Sequence, residues 1–306
     1  MQLSERNLEV RNLIGGAWEK RDGRETEPVY DPATGEIVAE TPLSSREDVD
    51  RAVQAAQAAF AGWSGTPVVE RTQVLFRFKA LLEEHFEELR NLVTLENGKD
   101  SKDAAGEVRR GIEVVEFACG MPTLLMGETV RDVARGIDNA SYRYPLGVVA
   151  AITPFNFPCM VPLWTLPIAI GAGNTYILKP SERTPLSAVR LGELLKEAGL
   201  PDGVFNLVNG AREAVDAILE HPGIKAVSFV GSQPVADSRR CWAPLCRGRR
   251  RASRSWSFWR RRAPAPSSCA RRRACRRARR PAGSRRRRRP LCRGARGCRS
   301  PRRAPR

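Results

Sequence analysis

Charged residues punctuate almost the whole chain, but none occurs between Arg143 and Lys179. Inside that span, Gly147-Val-Val-Ala-Ala-Ile152 is a short Val-rich run ended by Thr153-Pro154, the pattern of a buried strand. Pro154 and Pro158 bracket a loop. An apolar segment then runs to Gly171, and residues 175–178 form a second strand ending on Lys179-Pro180-Ser181-Glu182. Strand, crossover and strand make the unit of a parallel sheet. Ligands of such sheets sit at the carboxyl ends of the strands. Residues 153–156 and 179–183 are two such ends, polar where their surroundings are apolar.

Upstream, Ile14-Gly-Gly-Ala-Trp18 and Tyr30-Asp-Pro-Ala-Thr-Gly35 are turns between short strands. Ser44 and Glu47 have the spacing of a capping box, opening a helix with Val49, Val53, Ala56 and Phe60 on one face. A second helix from about Glu70 aligns Val74, Phe78, Leu81, Leu82, Phe86 and Leu89, and stops at Asn97-Gly98. A third spans 102–119 with Val108, Ile112 and Val115 inward, and residues 140–144 suit an exposed strand. Downstream, Thr184-Pro185 predicts an N-cap and first helical residue of a helix reaching Gly199. Strands at 204–208 and 225–230 flank a helix at 213–220, and the last strand ends on Gly231-Ser232. This alternation predicts an α/β fold with a doubly wound parallel sheet. No G-x-G-x-x-G follows any of the strands, so the ordinary dinucleotide fingerprint is absent.

Charge changes the picture of the domains. The net charge of +18 over 306 residues is segregated: 28 of the 52 basic residues, all Arg, follow Asp237, and no acidic residue does. The first 237 residues therefore hold 24 basic and 34 acidic residues, a net of −10. Domains are expected at 1–237, globular, and 238–306, an Arg-rich disordered tail. Cys119 and Cys159 lie in the body and the other six Cys in the tail. Two scattered cysteines make neither a disulfide framework nor a metal site, and a reducing, cytoplasmic setting is the expectation. The first residues lack a basic stretch followed by an apolar core, so no signal peptide is expected. Pro154, Pro158, Pro162, Pro167 and Asn156 argue against a membrane span in the uncharged stretch.

Residues 10–236 resemble the N-terminal half of an aldehyde dehydrogenase. The likeness rests on Thr153-Pro-Phe-Asn-Phe-Pro158, Lys179-Pro-Ser-Glu182, Gly199-Leu-Pro-Asp-Gly-Val-Phe-Asn206 and Phe229-Val-Gly-Ser232, in family order and spacing. Asn156-Phe-Pro-Cys-Met-Val-Pro-Leu-Trp164, Gly111-Ile-Glu-Val-Val-Glu-Phe-Ala-Cys119 and Gln73-Val-Leu-Phe-Arg-Phe-Lys79 are similar to the CoA-acylating, methylmalonate-semialdehyde branch. The resemblance implies oxidation of methylmalonate or malonate semialdehyde with NAD, and CoA as co-substrate. The products would be propanoyl-CoA or acetyl-CoA, with loss of carbon dioxide or bicarbonate. It also implies a homo-oligomer in intact relatives.

Site residues follow by position. Lys179 and Glu182 stand where an ammonium and a carboxylate hold ribose hydroxyls, with Glu182 repelling a 2′-phosphate so that NAD is preferred over NADP. On spacing alone they also describe a surface ion pair of little consequence. Arg183 offers a planar fork that can stack on adenine. Asn156 is placed to donate to the oxyanion formed when a thiolate attacks an aldehyde; spacing alone equally describes an Asn stabilising its own turn. The resemblance sets Thr153 and Phe155 against the nicotinamide half. Gly231-Ser232 would open a helix whose free N–H groups take the pyrophosphate. Arg110 is a candidate clamp for the substrate carboxylate; as neighbours on a helix, Arg109 and Arg110 equally describe at least one solvated residue. His85 and His221 suit surface or helix-end positions.

The resemblance stops after Asp237. The remaining 69 residues use nine residue types, mostly those with GC-rich codons. Such a segment cannot build an amphipathic element, and translation in a shifted frame is the expected cause. The family nucleophile, a Cys, belongs to the part that would follow, so this chain alone is expected to be inactive. The alternative is an acidic domain with a polybasic arm that binds nucleic acid non-specifically, through the Arg block at 285–289 and interleaved Trp242, Trp256 and Trp259. The absence of Lys and the six tail Cys argue against selection for binding.

Overall fold

Apolar runs bounded by turn residues become the strands of one sheet. The computed structural model describes residues 8–19, 23, 25–233 and 260–261. In chain order the elements are β1 (Leu13–Ile14), β2 (Ala17–Trp18), β3 (Thr26–Tyr30), β4 (Ile37–Pro42), α1 (Arg46–Gly65), α2 (Val68–Glu84), α3 (Phe86–Asn97) and α4 (Ser101–Cys119). Then follow α5 (Met121–Leu124), β5 (Thr129–Ala134), β6 (Ile137–Ala140), β7 (Val148–Ile152), α6 (Met160–Gly171) and β8 (Thr175–Lys179). Last come α7 (Leu186–Glu197), β9 (Phe205–Leu207), α8 (Arg212–Glu220), β10 (Ile224–Phe229) and β11 (Arg260–Arg261).

Among the described residues the main sheet runs β11-β10-β7-β8-β9-β1-β2. The pairs β10–β7, β7–β8 and β8–β9 are parallel, while β9–β1, β1–β2 and β10–β11 are antiparallel. The chain steps from β7 through β8 to β9 on one side, then returns to place β10 on the other side of β7. Strand order reverses between β7 and β10, the switch point where open sheets of this kind bind ligands. Every residue of β7 and β8 is buried, because helices cover both faces; this is why those strands read as continuous apolar runs. Val149 and Ala151 face a layer containing Leu163, Leu166 and Leu194. Val148, Ala150 and Ile152 face the other layer, with Val49 and Val53 of α1 and Ala214 and Ile218 of α8.

The structure corrects several local expectations. The capping box is Ser45 with Asp48, not Ser44 with Glu47: Ser45 N–H donates to the Asp48 carboxylate at 2.9 Å. Ser44 is buried and its Oγ accepts from Asn12 Nδ2 at 2.8 Å, so it is committed to the core. The single helix expected from Glu70 is two, broken at His85 (φ −96°, ψ 18°), which ends α2 and precedes α3. Gly98, at φ +77°, stops α3 in the left-handed region that favours glycine. The strand expected at 140–144 is instead Ile137–Ala140, paired with Thr129–Ala134; Ser141 N–H donating to Glu128 O closes that hairpin, and Tyr142 and Tyr144 lie beyond it, exposed. Thr184 does not cap α7, whose side-chain cap comes from elsewhere, as described below.

Of the expected tail at 238–306, only Arg260–Arg261 is described, pairing antiparallel with β10. The disorder, the frame change and the polybasic arm expected there otherwise lie outside the described residues. So does the helix expected after Ser232, beyond Gln233. Among the described residues no helix is long and apolar enough to cross a membrane.

Candidate functional site

Three strand ends converge at the switch point. Thr153 N–H donates to Lys179 O at 3.0 Å, and Val230 N–H donates to Ile152 O at 3.2 Å. The ends of β8, β7 and β10 are thereby tied in a row, with the Thr153–Asn156 turn in the middle. Gly231 and Ser232, at the exit of β10, are exposed.

Lys179 ends β8 at 3 % exposure, and its Nζ donates to Glu182 Oε2 at 3.0 Å. The short Pro180-Ser181 link turns the chain back so that residues three apart meet. Burial lowers the Lys179 ammonium from its ordinary value, against the pull of Glu182. Burial pushes the Glu182 carboxyl up, but Lys179, the local backbone and Arg183 outweigh it and hold it below the ordinary value. Glu182 is thus ionised at neutral pH. Thr41 Oγ1 donates to Glu182 O at 2.7 Å, anchoring the loop to β4. The Arg183 guanidinium lies over the Phe155 ring, 5.7 Å from its centroid, a cation–π contact that joins the two turns.

Thr153 is buried and its Oγ1 has no hydrogen-bond partner among the described residues. Phe155 and Asn156 are exposed. Arg110 is exposed on α4 with no ion pair among the described residues, whereas Arg109 pairs with Glu83 at 2.7 Å and stacks over Phe86. The structure therefore gathers Thr153, Phe155, Asn156, Lys179, Glu182 and Arg183, sets Ser232 at the adjoining strand end, and leaves Arg110 on a separate helix. His85 contacts Glu88 and His221 contacts Asp50, both at helix ends. The two described cysteines, Cys119 and Cys159, are buried, and burial raises both thiols above the ordinary value.

Three charged residues that the sequence pattern did not single out support this site. Glu107 of α4 accepts from Cys159 N–H at 2.9 Å and Met160 N–H at 3.1 Å, capping α6. Glu96 of α3 accepts from Leu186 N–H at 2.7 Å and Ser187 N–H at 3.0 Å, capping α7. Both carboxylates satisfy helix N–H groups that have no intrahelical partner and complement the helix dipole. Lys99, between α3 and α4, pairs with Glu107. The signal was present: Glu107 falls on the stripe Ala104, Val108, Gly111, Ile112, and Glu96 on the stripe Leu89, Leu92, Val93. A charge at a core-facing helix position needs a partner.

Residues 18–238 match the aldehyde dehydrogenase family. The chain is 58% identical over 228 residues to a malonate-semialdehyde dehydrogenase of Bacillus pumilus, covering 74% of this chain and 47% of that protein. It is 60% identical over 229 residues to malonate-semialdehyde dehydrogenase 2 of Geobacillus kaustophilus, again 74% and 47%. Among solved structures, methylmalonate-semialdehyde dehydrogenase from Oceanimonas doudoroffii is 52% identical with a TM-score of 0.73, covering 76% of this chain and 47% of that one. An aldehyde dehydrogenase from Bacillus cereus, solved as its NAD+ complex, is 35% identical with a TM-score of 0.72, covering 76% and 48%. The chain spans about half the length of the relatives it matches.

Proposed function

This chain belongs to the aldehyde dehydrogenase family, and from that premise we propose that residues 1–237 are the NAD-binding half of a CoA-acylating methylmalonate- or malonate-semialdehyde dehydrogenase. The observation that carries the proposal is the pair of buried Lys179 and half-buried Glu182 at the end of β8, beside the Thr153–Asn156 turn at the end of β7.

The residues present fit NAD. The Lys179 ammonium has three donors, of which Glu182 takes one. The Glu182 side chain is 29% exposed, so its carboxylate can still accept from ribose hydroxyls. Thr153 Oγ1 is buried and unpartnered among the described residues. Lys179 and Glu182 would hold the adenine ribose, Glu182 would disfavour a 2′-phosphate, and the planar Arg183 guanidinium would be available to stack on adenine. The N–H groups at Gly231-Ser232 would take the pyrophosphate. Thr153 and Phe155 line the nicotinamide half. Asn156 donates to the oxyanion, a contact of the kind that supplies ~3 kcal/mol of transition-state stabilisation. Arg110 pairs with the substrate carboxylate.

When bound, NAD supplies the hydride acceptor, and CoA is the acyl acceptor. The nucleophilic thiolate does not come from Cys119 or Cys159, which are buried and held as thiols. With the family nucleophile expected beyond Asp237, the 306-residue chain alone is proposed to be inactive, and the functional boundary is proposed at Asp237. The cytoplasm is the proposed compartment. A homo-oligomer is the proposed assembly of an intact relative, with the β5–β6 hairpin and its exposed Val130, Val133 and Ile137 as the contact.

Calorimetric titration tests this reading. The chain binds NAD more tightly than NADP. Glu182→Ala weakens NAD about tenfold or more, the loss expected for a hydrogen bond to a charged group, and narrows the preference. With malonate semialdehyde and CoA added, no NADH forms. An unchanged NAD to NADP ratio in Glu182→Ala contradicts the ribose role, and CoA-dependent turnover contradicts the inactivity.

A further inference from the structure

We propose that Asn97, Lys99 and Glu107 form a positioning clamp that grips the backbone on both sides of Asn156 and leaves its side-chain amide free to act. The inference rests on the oxyanion role proposed for Asn156.

The segment 155–160 lies between the end of β7 and the start of α6, where no ladder pairs its backbone groups. Three side chains from the α3–α4 region do so instead. Asn97 Nδ2 donates to Phe155 O at 2.8 Å. Lys99 Nζ donates to Asn156 O at 2.7 Å. Glu107 Oε1 accepts from Cys159 and Met160 N–H. The Lys99 ammonium also pairs with Glu107 Oε2 and stands 3.8 Å from the Phe157 ring centroid. One lysine thus uses its compact charge in three directions, on a carboxylate, a carbonyl and a ring face. Glu107 is 1% exposed, so its charge is committed to this arrangement.

The selectivity of the contacts is what points to function. Each of them holds backbone or a ring, and none uses the Asn156 amide, which is exposed and has no hydrogen bond among the described residues. A turn serving only the fold would gain by engaging that amide. An oxyanion donor must instead be held to within ~0.5 Å without being consumed, and a misplacement of about 1 Å can cost ~100-fold in rate.

The test is backbone amide hydrogen exchange at single-residue resolution on the full 306-residue chain, with the urea midpoint as a measure of global stability. Lys99→Met speeds exchange at Cys159 and Met160, whose N–H groups donate to Glu107, by about tenfold or more, the loss expected for a charge-assisted hydrogen bond, and leaves Ile177 and Leu178 in β8 unchanged. Lys99→Arg keeps the charge and restores most of the protection. Asn97→Ala removes the hold on Phe155 O, leaves no buried charge behind and also speeds exchange at Cys159 and Met160, so the test holds even if Lys99→Met does not fold. Unchanged exchange at these amides in both Asn97→Ala and any folded Lys99 variant overturns the clamp, as does a rise of equal size in β8. Because no turnover is measured, failure of the clamp and failure of the oxyanion role of Asn156 are read as separate outcomes.

Discussion

Lys179 sits at 3 % exposure with Glu182 3.0 Å away, a partner that favours its charged form. Burial still lowers its pKa, so it releases its proton below the ordinary lysine value. If the ammonium holds the ribose, NAD affinity falls as pH rises through that lowered value, earlier than an exposed lysine would dictate. Lys179→Met binds NAD more weakly and loses this alkaline limb. Titrations from neutral to alkaline pH check it; a limb that persists in Lys179→Met assigns the dependence to another group. As candidates, Thr153 and Asn156 were legible in the sequence because they are polar where an apolar run ends, and Lys179 and Glu182 because they close the long uncharged stretch. Lys99, Glu96 and Glu107 were not, because a charge on an amphipathic helix is read first as solvent-facing. Arg183 was legible as a planar cation, but its seat over Phe155 depends on two loops meeting and lies beyond any local pattern.

Among the elements, α6 and α7 show how far local signals reach. Both follow site loops, and both are capped by a carboxylate from a helix more than fifty residues away in sequence. Thr184-Pro185 looked like a self-sufficient start for α7, yet the tertiary cap from Glu96 replaces it. Burial pushes the Glu96 carboxyl up to about 7, against the N–H groups of Leu186 and Ser187. Its folded value exceeds its unfolded one, so the native chain holds an extra proton between the ordinary glutamate range and pH about 7. The stability linked to this group is full below that window and is lost as pH rises through it. Glu96→Gln removes the slope. It also costs roughly 1–3 kcal/mol at acid pH, since one buried N–H loses its acceptor. Urea midpoints across mildly acidic to neutral pH measure both; an unaltered slope in the variant contradicts the assignment. Close packing also sets element positions: a Cβ on Gly111 of α4 would lie 2.6 Å from Leu163 Cδ1, so glycine lets α4 approach α6. That closeness brings Glu107 to the start of α6. The break at His85 and the shift of the hairpin strand to Ile137–Ala140 were not legible, because apolar periodicity continues through the first and pairing partners decide the second.

For the whole molecule, alternation of strands and helices was enough to give the doubly wound class, but not the order of the sheet. The reversal between β7 and β10 follows from β10 returning past β7, and it places the site. The seat of α1 beside α8 on one sheet face, and the addition of β1 and β2 beyond β9, join segments far apart in sequence. No pattern within either segment encodes those contacts. The segregation of charge at Asp237 was legible at once, and the family match ends at the same place, residue 238. The central claim is that the carboxyl ends of β7, β8 and β10 bind NAD. Chemical-shift mapping of the isotope-labelled 306-residue chain during an NAD titration tests it most directly. Saturable shifts concentrated at Thr153, Asn156, Lys179, Glu182, Arg183, Gly231 and Ser232 are the predicted result. No saturable shift, or shifts gathered at the opposite ends of these strands near Val148, Thr175 and Ile224, would contradict it.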